Sequence, residues 1–351
     1  MAAGRIPVSL VTGFLGSGKT TLIRALLTRP GMAGTAVIVN EFGAVGIDDA
    51  IFAEAVDEDG VLLLANGCLC CVGGDDLAQA VFGLTRRETG RPQRIVVETS
   101  GLADPAPSLR RMMSDPRVRQ AIRLDALVAT VDGVNGAETL ASEPIALRQL
   151  ALADRRIITK TDIAAPEKVR ALREQLTQLN AGSPVIAASN GDVEPDRLFG
   201  ATLIDPATGA ADPERWMGLD GYRALAPWGS DRSIRFSGGA DHDPSIGSWL
   251  IEEARPLDWE RLSRRLGDIV ARHGQQMLRL KGVVHTTDDP RPLVIHGVQR
   301  VFHAPVRLGR WNREPATSIV VIGDREVYPA IEAITDAVRE AATEPAKFET
   351  A

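Results

Sequence analysis

Three cysteines are all that this 351-residue chain contains, and they sit together at Cys68, Cys70 and Cys71. An odd, clustered set builds no disulfide framework, so the sequence predicts a reducing, cytoplasmic setting. Long apolar runs are missing as well. None reaches the roughly 18 residues of a membrane-spanning helix, and the N-terminus lacks the layout of a signal peptide. There is no excess of positive charge: the formal net charge is −6. That balance argues against a nucleic-acid binder held by phosphate neutralisation. No internal repeat is visible. What is present is 44% hydrophobic and 25% charged, an ordinary globular composition, and the length predicts two domains.

The most informative stretch is Gly13-Phe14-Leu15-Gly16-Ser17-Gly18-Lys19-Thr20, which fits G-x-x-x-x-G-K-S/T. The apolar run Pro7 to Thr12 before it reads as a buried strand, and Thr21 to Leu27 after it has helical spacing. Strand, glycine loop and helix are the context a phosphate-binding loop requires. Gly13, Gly16, Ser17 and Gly18 would turn backbone N–H groups onto phosphate oxygens at the helix N-terminus. Lys19 would reach the β- and γ-phosphates, the Thr20 hydroxyl would hold Mg²⁺, and Thr21 would complete the cradle.

Further strand-like runs recur at Thr35 to Asn40, Gly60 to Ala65, Arg94 to Glu98, Ala126 to Val131, Arg156 to Thr159 and Pro184 to Ala188. Helical patterns lie between them at Asp76 to Arg87, Glu143 to Leu152 and Pro166 to Leu179. This alternation predicts an α/β fold with a doubly wound, mostly parallel sheet over residues 1–195. A turn-rich stretch at 196–231 reads as a linker or insertion. A small α+β domain is expected over 232–342, with strands near Ile234 and at Ser248 to Glu252, Met277 to Val284, Leu293 to Val298 and Thr317 to Ile322. Its helices are predicted at Leu257 to His273 and Tyr328 to Ala342, and residues 343–351 as a frayed tail.

Glu98-Thr99-Ser100-Gly101 ends an apolar strand with a carboxylate and a glycine three residues on. Glu98 there would hold the Mg²⁺ shell, and the Gly101 N–H would contact a γ-phosphate. Thr159-Lys160-Thr161-Asp162 resembles the base-reading N-K-x-D element of GTPases. Asp162 would accept hydrogen bonds from guanine N1–H and its exocyclic amine, which adenine cannot supply, and the Lys160 stem would lie along the base. Thr159 stands where Asn is usual, removing one amide contact. Ala188 and Ser189 could offer a backbone N–H to guanine O6. Leu102 follows Gly101 where many small GTPases have a water-positioning glutamine, and no arginine finger can be assigned. Slow intrinsic turnover is therefore expected, raised by a metal, a partner or a homodimer.

In an extended segment Cys68 and Cys70 point the same way, while Cys71 faces away unless the turn at Asn66-Gly67 bends the chain. Two thiolates leave a tetrahedral site incomplete, and Glu41 is a candidate further ligand. Thiolates favour Zn²⁺ and also take Co²⁺. The competing reading is a redox-active or merely buried cysteine cluster. His296 reads as a core histidine rather than a ligand.

These stretches, with Asn40-Glu41-Phe42-Gly43 and Asn66-Gly67-Cys68-Leu69-Cys70-Cys71, resemble the CobW family of metal-linked P-loop GTPases, relatives of the urease and hydrogenase maturation GTPases. Pro256 to Trp259, Leu278 to Gly282 and Ile295 to Gln299 are similar to the family's C-terminal domain. The resemblance implies GTP hydrolysis coupled to binding of zinc or cobalt and its delivery to a client metalloprotein. Three departures stand out. Ala44 replaces a frequent glutamate, the histidine-rich tract shrinks to Asp241-His242-Asp243, and an arginine often following the serine near the last strand is missing after Ser318. A nucleotide-dependent switch that delivers no metal and a P-loop small-molecule kinase are the alternatives. The Thr159-Lys160-Thr161-Asp162 stretch argues against the kinase.

Overall fold

The computed structural model describes residues 5–39, 62–65, 75–200, 212–225, 227–228, 231–237, 246–302, 304–311 and 313–342. The chain divides into two units, Met1–Thr177 with Ser183–Thr202, and Gln178–Gly182 with Leu203–Ala351.

The first unit is built on seven strands: β1 Ile6–Gly13, β2 Thr35–Val39, β3 Leu62–Ala65, β4 Arg94–Glu98, β5 Ile122–Asp132, β6 Arg155–Thr159 and β7 Val185–Ala187. They hydrogen-bond in the order β3-β2-β4-β1-β5-β6-β7, every pair parallel. Parallel strands are covered on both faces, so they carry apolar runs instead of alternation. All five residues of β2 are buried, as are Ile95 to Glu98 of β4. Helices α1 Lys19–Leu27, α2 Asp75–Thr85, α3 Pro105–Ser114, α4 Pro116–Ala121, α5 Gly136–Ser142, α6 Pro144–Leu152 and α7 Pro166–Leu179 lie between the strands in sequence. Leu22, Ile23 and Leu26 of α1 are buried with Val11, Val37 and Val96 of the sheet.

Two differences from the sequence reading have local causes. The sequence reading named no helix between Gly101 and Ala126, and α3 and α4 occupy that stretch. Their prolines Pro105 and Pro116 sit at the first helical position, where a missing N–H costs nothing, and Asp104 and Asp115 cap them by accepting from Ala106 and Arg117 N–H. Strand β5 is also longer than expected, starting at Ile122.

In the second unit, β8 Pro227–Trp228, β9 Asp231–Ser237, β10 Ile246–Glu253, β11 Met277–Val284, β12 Leu293–Val298, β13 Val301–Phe302, β14 Val306–Arg307 and β15 Thr317–Asp324 form one antiparallel sheet. Helices α8 Trp259–His273 and α9 Tyr328–Ala341 share its core: Leu262, Leu266 and Ile269 meet Ile331, Ile334 and Val338 over Leu280, Ile295 and Val321. Leu257 was read as helical but lies before α8. Asp258 caps the helix through the Arg261 N–H, and fully buried Leu257 bridges Thr286 and Ala342 instead. Within the stretch read as a linker, Pro213–Met217 and Leu219–Arg223 are short helices that bury Met217, Leu219 and Tyr222.

Candidate nucleotide-binding site

A parallel sheet carries its ligand loops beyond the carboxyl ends of its strands. The ends of β1, β4, β5, β6 and β7 all carry residues of interest here. After β1 the chain turns through the glycine loop into α1. Gly18, the N-cap of α1, sits at φ 88°, a left-handed conformation that favours glycine, and Gly16 is at φ 70°. The Ser17 and Thr130 hydroxyls hydrogen-bond at 2.7 Å, fastening the loop to β5. Lys19 is 6% exposed and donates from Nζ to the Gly13 and Phe14 carbonyls at 2.9 and 3.2 Å. Its charge is thus held over the inside of the loop. Thr21 is exposed on α1.

Glu98 at the end of β4 is 1% exposed, and its Oε1 accepts from the Thr20 hydroxyl at 2.7 Å. A carboxylate and a hydroxyl that converge at a phosphate loop are hard oxygen ligands, a donor set that fits Mg²⁺. Beyond Glu98, the Thr99 hydroxyl bonds that of Thr12 at 2.9 Å, and Ser100 to Ala103 close a turn with Ala103 N–H donating to the Ser100 carbonyl at 3.1 Å. Gly101 rests on the phosphate loop: a Cβ there would lie 2.8 Å from the Leu15 amide nitrogen. Leu15 and Leu102 are both exposed.

At the end of β6, the buried Thr159 hydroxyl lies 2.8 Å from the Ser17 carbonyl and 3.1 Å from that of Val131. The residue that replaces the usual asparagine therefore ties the end of β6 to the phosphate loop. Lys160 adopts φ 55° and pairs with Asp132 at 2.8 Å. Burial opposes charge on Asp132, but the hydrogen bonds from Lys160 and the Val134 N–H outweigh it, so its pKa lies below the usual carboxylate value. The hydroxyls of Thr161 and Ser189 meet at 2.9 Å, joining the β6 and β7 loops. The Ala188 N–H already donates to the Ile158 carbonyl at 2.8 Å, which leaves Ser189 as the donor candidate of that pair. Asp162 is exposed.

The phosphate loop, Glu98, Gly101, Thr159 and Lys160 are thus brought together. Glu41, Cys68, Cys70 and Cys71 lie outside the described residues. Among the described residues no group of three or more His, Cys, Asp or Glu could hold a metal ion. His296 is half-buried, edge-on to Trp216 with ring centroids 5.8 Å apart. Two polar residues at the site went unread in the sequence. Asp132 had a signal, a carboxylate ending an apolar strand at the ligand edge, as Glu98 does. Gln149, which donates to the Gly101 and Ala103 carbonyls, had none.

This fold and loop define a P-loop nucleotide-binding protein. Residues 7–187 match the family profile described as CobW/HypB/UreG, nucleotide-binding domain, and residues 246–339 match that of the cobalamin synthesis protein cobW C-terminal domain. The chain belongs to the CobW/HypB/UreG family and carries the CobW C-terminal domain. It is 32% identical over 323 residues to the zinc chaperone YjiA of Escherichia coli, covering 91% of this chain and 94% of that one. It is 31% identical over 349 residues to the zinc chaperone CobW of a Sinorhizobium species, covering 91% and 93%. The crystal structure of Zn(II)-bound YjiA GTPase from E. coli superposes with a TM-score of 0.67 at 27% identity, over 97% of this chain and 99% of that one.

Proposed function

We propose that this chain is a GTP-hydrolysing metallochaperone whose cargo is Zn²⁺, with Co²⁺ as a second candidate. The observation that carries the reading is similarity over 91% of the chain to zinc chaperones. It is supported by the contacts of Lys19 with the phosphate loop, of Thr20 with Glu98, of Thr159 with Ser17 and of Lys160 with Asp132.

In this reading the Gly13 to Thr20 backbone receives the phosphates, and Lys19 exchanges its loop carbonyls for β- and γ-phosphate oxygens. Mg²⁺ would be held by Thr20 and Glu98 and would neutralise phosphate charge. Asp162 selects guanine, Lys160 lies along the base in an orientation set by Asp132, and Ser189 donates to O6. Leu102 offers no polar group to position water, so turnover is slow until cargo, a partner or a second copy assists. The cargo is taken by Cys68, Cys70 and Cys71 with Glu41, and hydrolysis weakens that hold so that the ion passes to a client metalloprotein in the cytoplasm.

The test is Zn²⁺ and Co²⁺ affinity by chelator-dye competition with no nucleotide, Mg-GDP and a non-hydrolysable Mg-GTP analogue. Tightening by about tenfold or more with the analogue alone, lost in a Cys68→Ala, Cys70→Ala variant, is expected. Equal affinity in all three states would leave a GTPase that does not couple nucleotide to metal.

A further inference from the structure

Gln149 belongs to α6 and to none of the nucleotide motifs, yet it is fully buried and holds the segment that follows Glu98. Its Nε2 donates to the Gly101 carbonyl at 3.1 Å and to the Ala103 carbonyl at 2.9 Å. A side-chain amide nitrogen has two hydrogens, and here each finds one carbonyl. Its Oε1 accepts from no described group, so the two carbonyls alone fix which way the amide faces. The preceding residue, Arg148, pairs with Asp104 at 3.2 Å, and Asp104 also caps α3 by accepting from the Ala106 N–H at 2.9 Å. One helix therefore grips the Gly101 to Asp104 stretch at three points. That stretch begins three residues after Glu98, and at Gly101 it rests on Leu15 of the phosphate loop with no room for a methyl group. A shift of this backbone on arrival of a third phosphate must keep or break both amide bonds.

We propose that Gln149 is a positioning residue that sets the preference of the site for nucleoside triphosphate over diphosphate. It does so by holding the Gly101 and Ala103 carbonyls and with them the backbone that faces the phosphate loop. This rests on the GTP-binding reading above. Neither a leucine nor a glutamate can replace the amide, because the first donates nothing and the second, when ionised, only accepts. Arg148 adds to the same hold through its pair with Asp104.

The experiment uses the full chain with Mg²⁺, fluorescent GDP and a non-hydrolysable fluorescent GTP analogue. In Gln149→Glu the carboxylate faces two carbonyls. Affinity for the analogue should fall by about tenfold while that for GDP falls by less than about threefold. The loss should shrink as pH is lowered towards about 5, where the acid regains a donor hydrogen. Arg148→Ala changes a partly exposed side chain and should keep the fold while lowering the same ratio by about two- to threefold. It decides the matter if Gln149→Glu does not fold. Equal losses for the two nucleotides, no recovery at low pH, or an unchanged ratio in Arg148→Ala would each overturn the inference. A wild-type chain that bound neither nucleotide would remove the GTP reading itself, a result distinct from a variant whose ratio is unchanged.

Discussion

Thr159→Val removes one hydroxyl and keeps the shape, which makes it a clean probe of the bond between the end of β6 and the phosphate loop. The hydroxyl is buried and faces the Ser17 and Val131 carbonyls at 2.8 and 3.1 Å. Losing its hydrogen bond and leaving a buried carbonyl less satisfied costs about 1–3 kcal/mol. If the bond shapes Ser17 and Gly18 for phosphate, about 1.4 kcal/mol of that appears as a tenfold weaker nucleotide Kd. GDP and the GTP analogue should weaken alike, because Ser17 and Gly18 precede the helix that receives phosphates common to both. The remainder appears as lost stability, about 2–4 °C in Tm for each kcal/mol in a unit of this size. Nucleotide titration by fluorescence and thermal unfolding of the nucleotide-free chain separate the two. A lowered Tm with both Kd values unchanged would refute the reasoning, since the bond would then serve the sheet and not the ligand.

Gly101→Ala places a methyl 2.8 Å from the Leu15 amide nitrogen, so the turn must move off the phosphate loop; affinity for the GTP analogue should drop by about tenfold or more. Unchanged binding would mean that the two loops yield freely. Glu98→Gln keeps a partner for the Thr20 hydroxyl but removes the charge; GTP-analogue affinity with Mg²⁺ should fall to its value with EDTA, and persistence of the Mg²⁺ effect would count against Glu98 as its holder. Burial holds the His285 pKa below its ordinary value near 6.5, against a smaller opposing hydrogen bond with the Ala254 backbone. As pH falls through about 6.5 the unfolded chain takes up the proton first, so this stability is full above that pH and is lost below it. His285→Gln should flatten the Tm profile between about pH 7 and 5, and superimposable profiles would rule the group out.

The parts of this molecule that were legible in its sequence are those whose chemistry dictates residue type in a row. Lys19 and Thr20 behind three glycines, and Glu98 at the end of an apolar strand, announce themselves because backbone turn, charge and strand end coincide. Thr159 was read as a missing asparagine contact; its role towards Ser17 was hidden because the partner is a backbone carbonyl, which leaves no mark on sequence. Gln149 was hidden for the same reason, its partners being the carbonyls of Gly101 and Ala103, 48 and 46 residues away. The helices after Gly101 escaped because Pro105 and Pro116 punctuate a pattern when read along the chain. They begin helices when the preceding aspartates are seen as caps.

The strand order β4-β1-β5-β6 makes the sheet a ruler. Glu98, the phosphate loop, Asp132 and Thr159 stand on successive strand ends, and neighbouring strands are held about 4.8 Å apart by their hydrogen bonds. The gap between the carboxylate that would hold the cation and the residues that would read the base is therefore three fixed increments, about 14 Å. Connections between these strands can lengthen, shorten or exchange sequence without altering that gap. One strand inserted between β1 and β6, or lost from between them, would shift it by a whole increment at once.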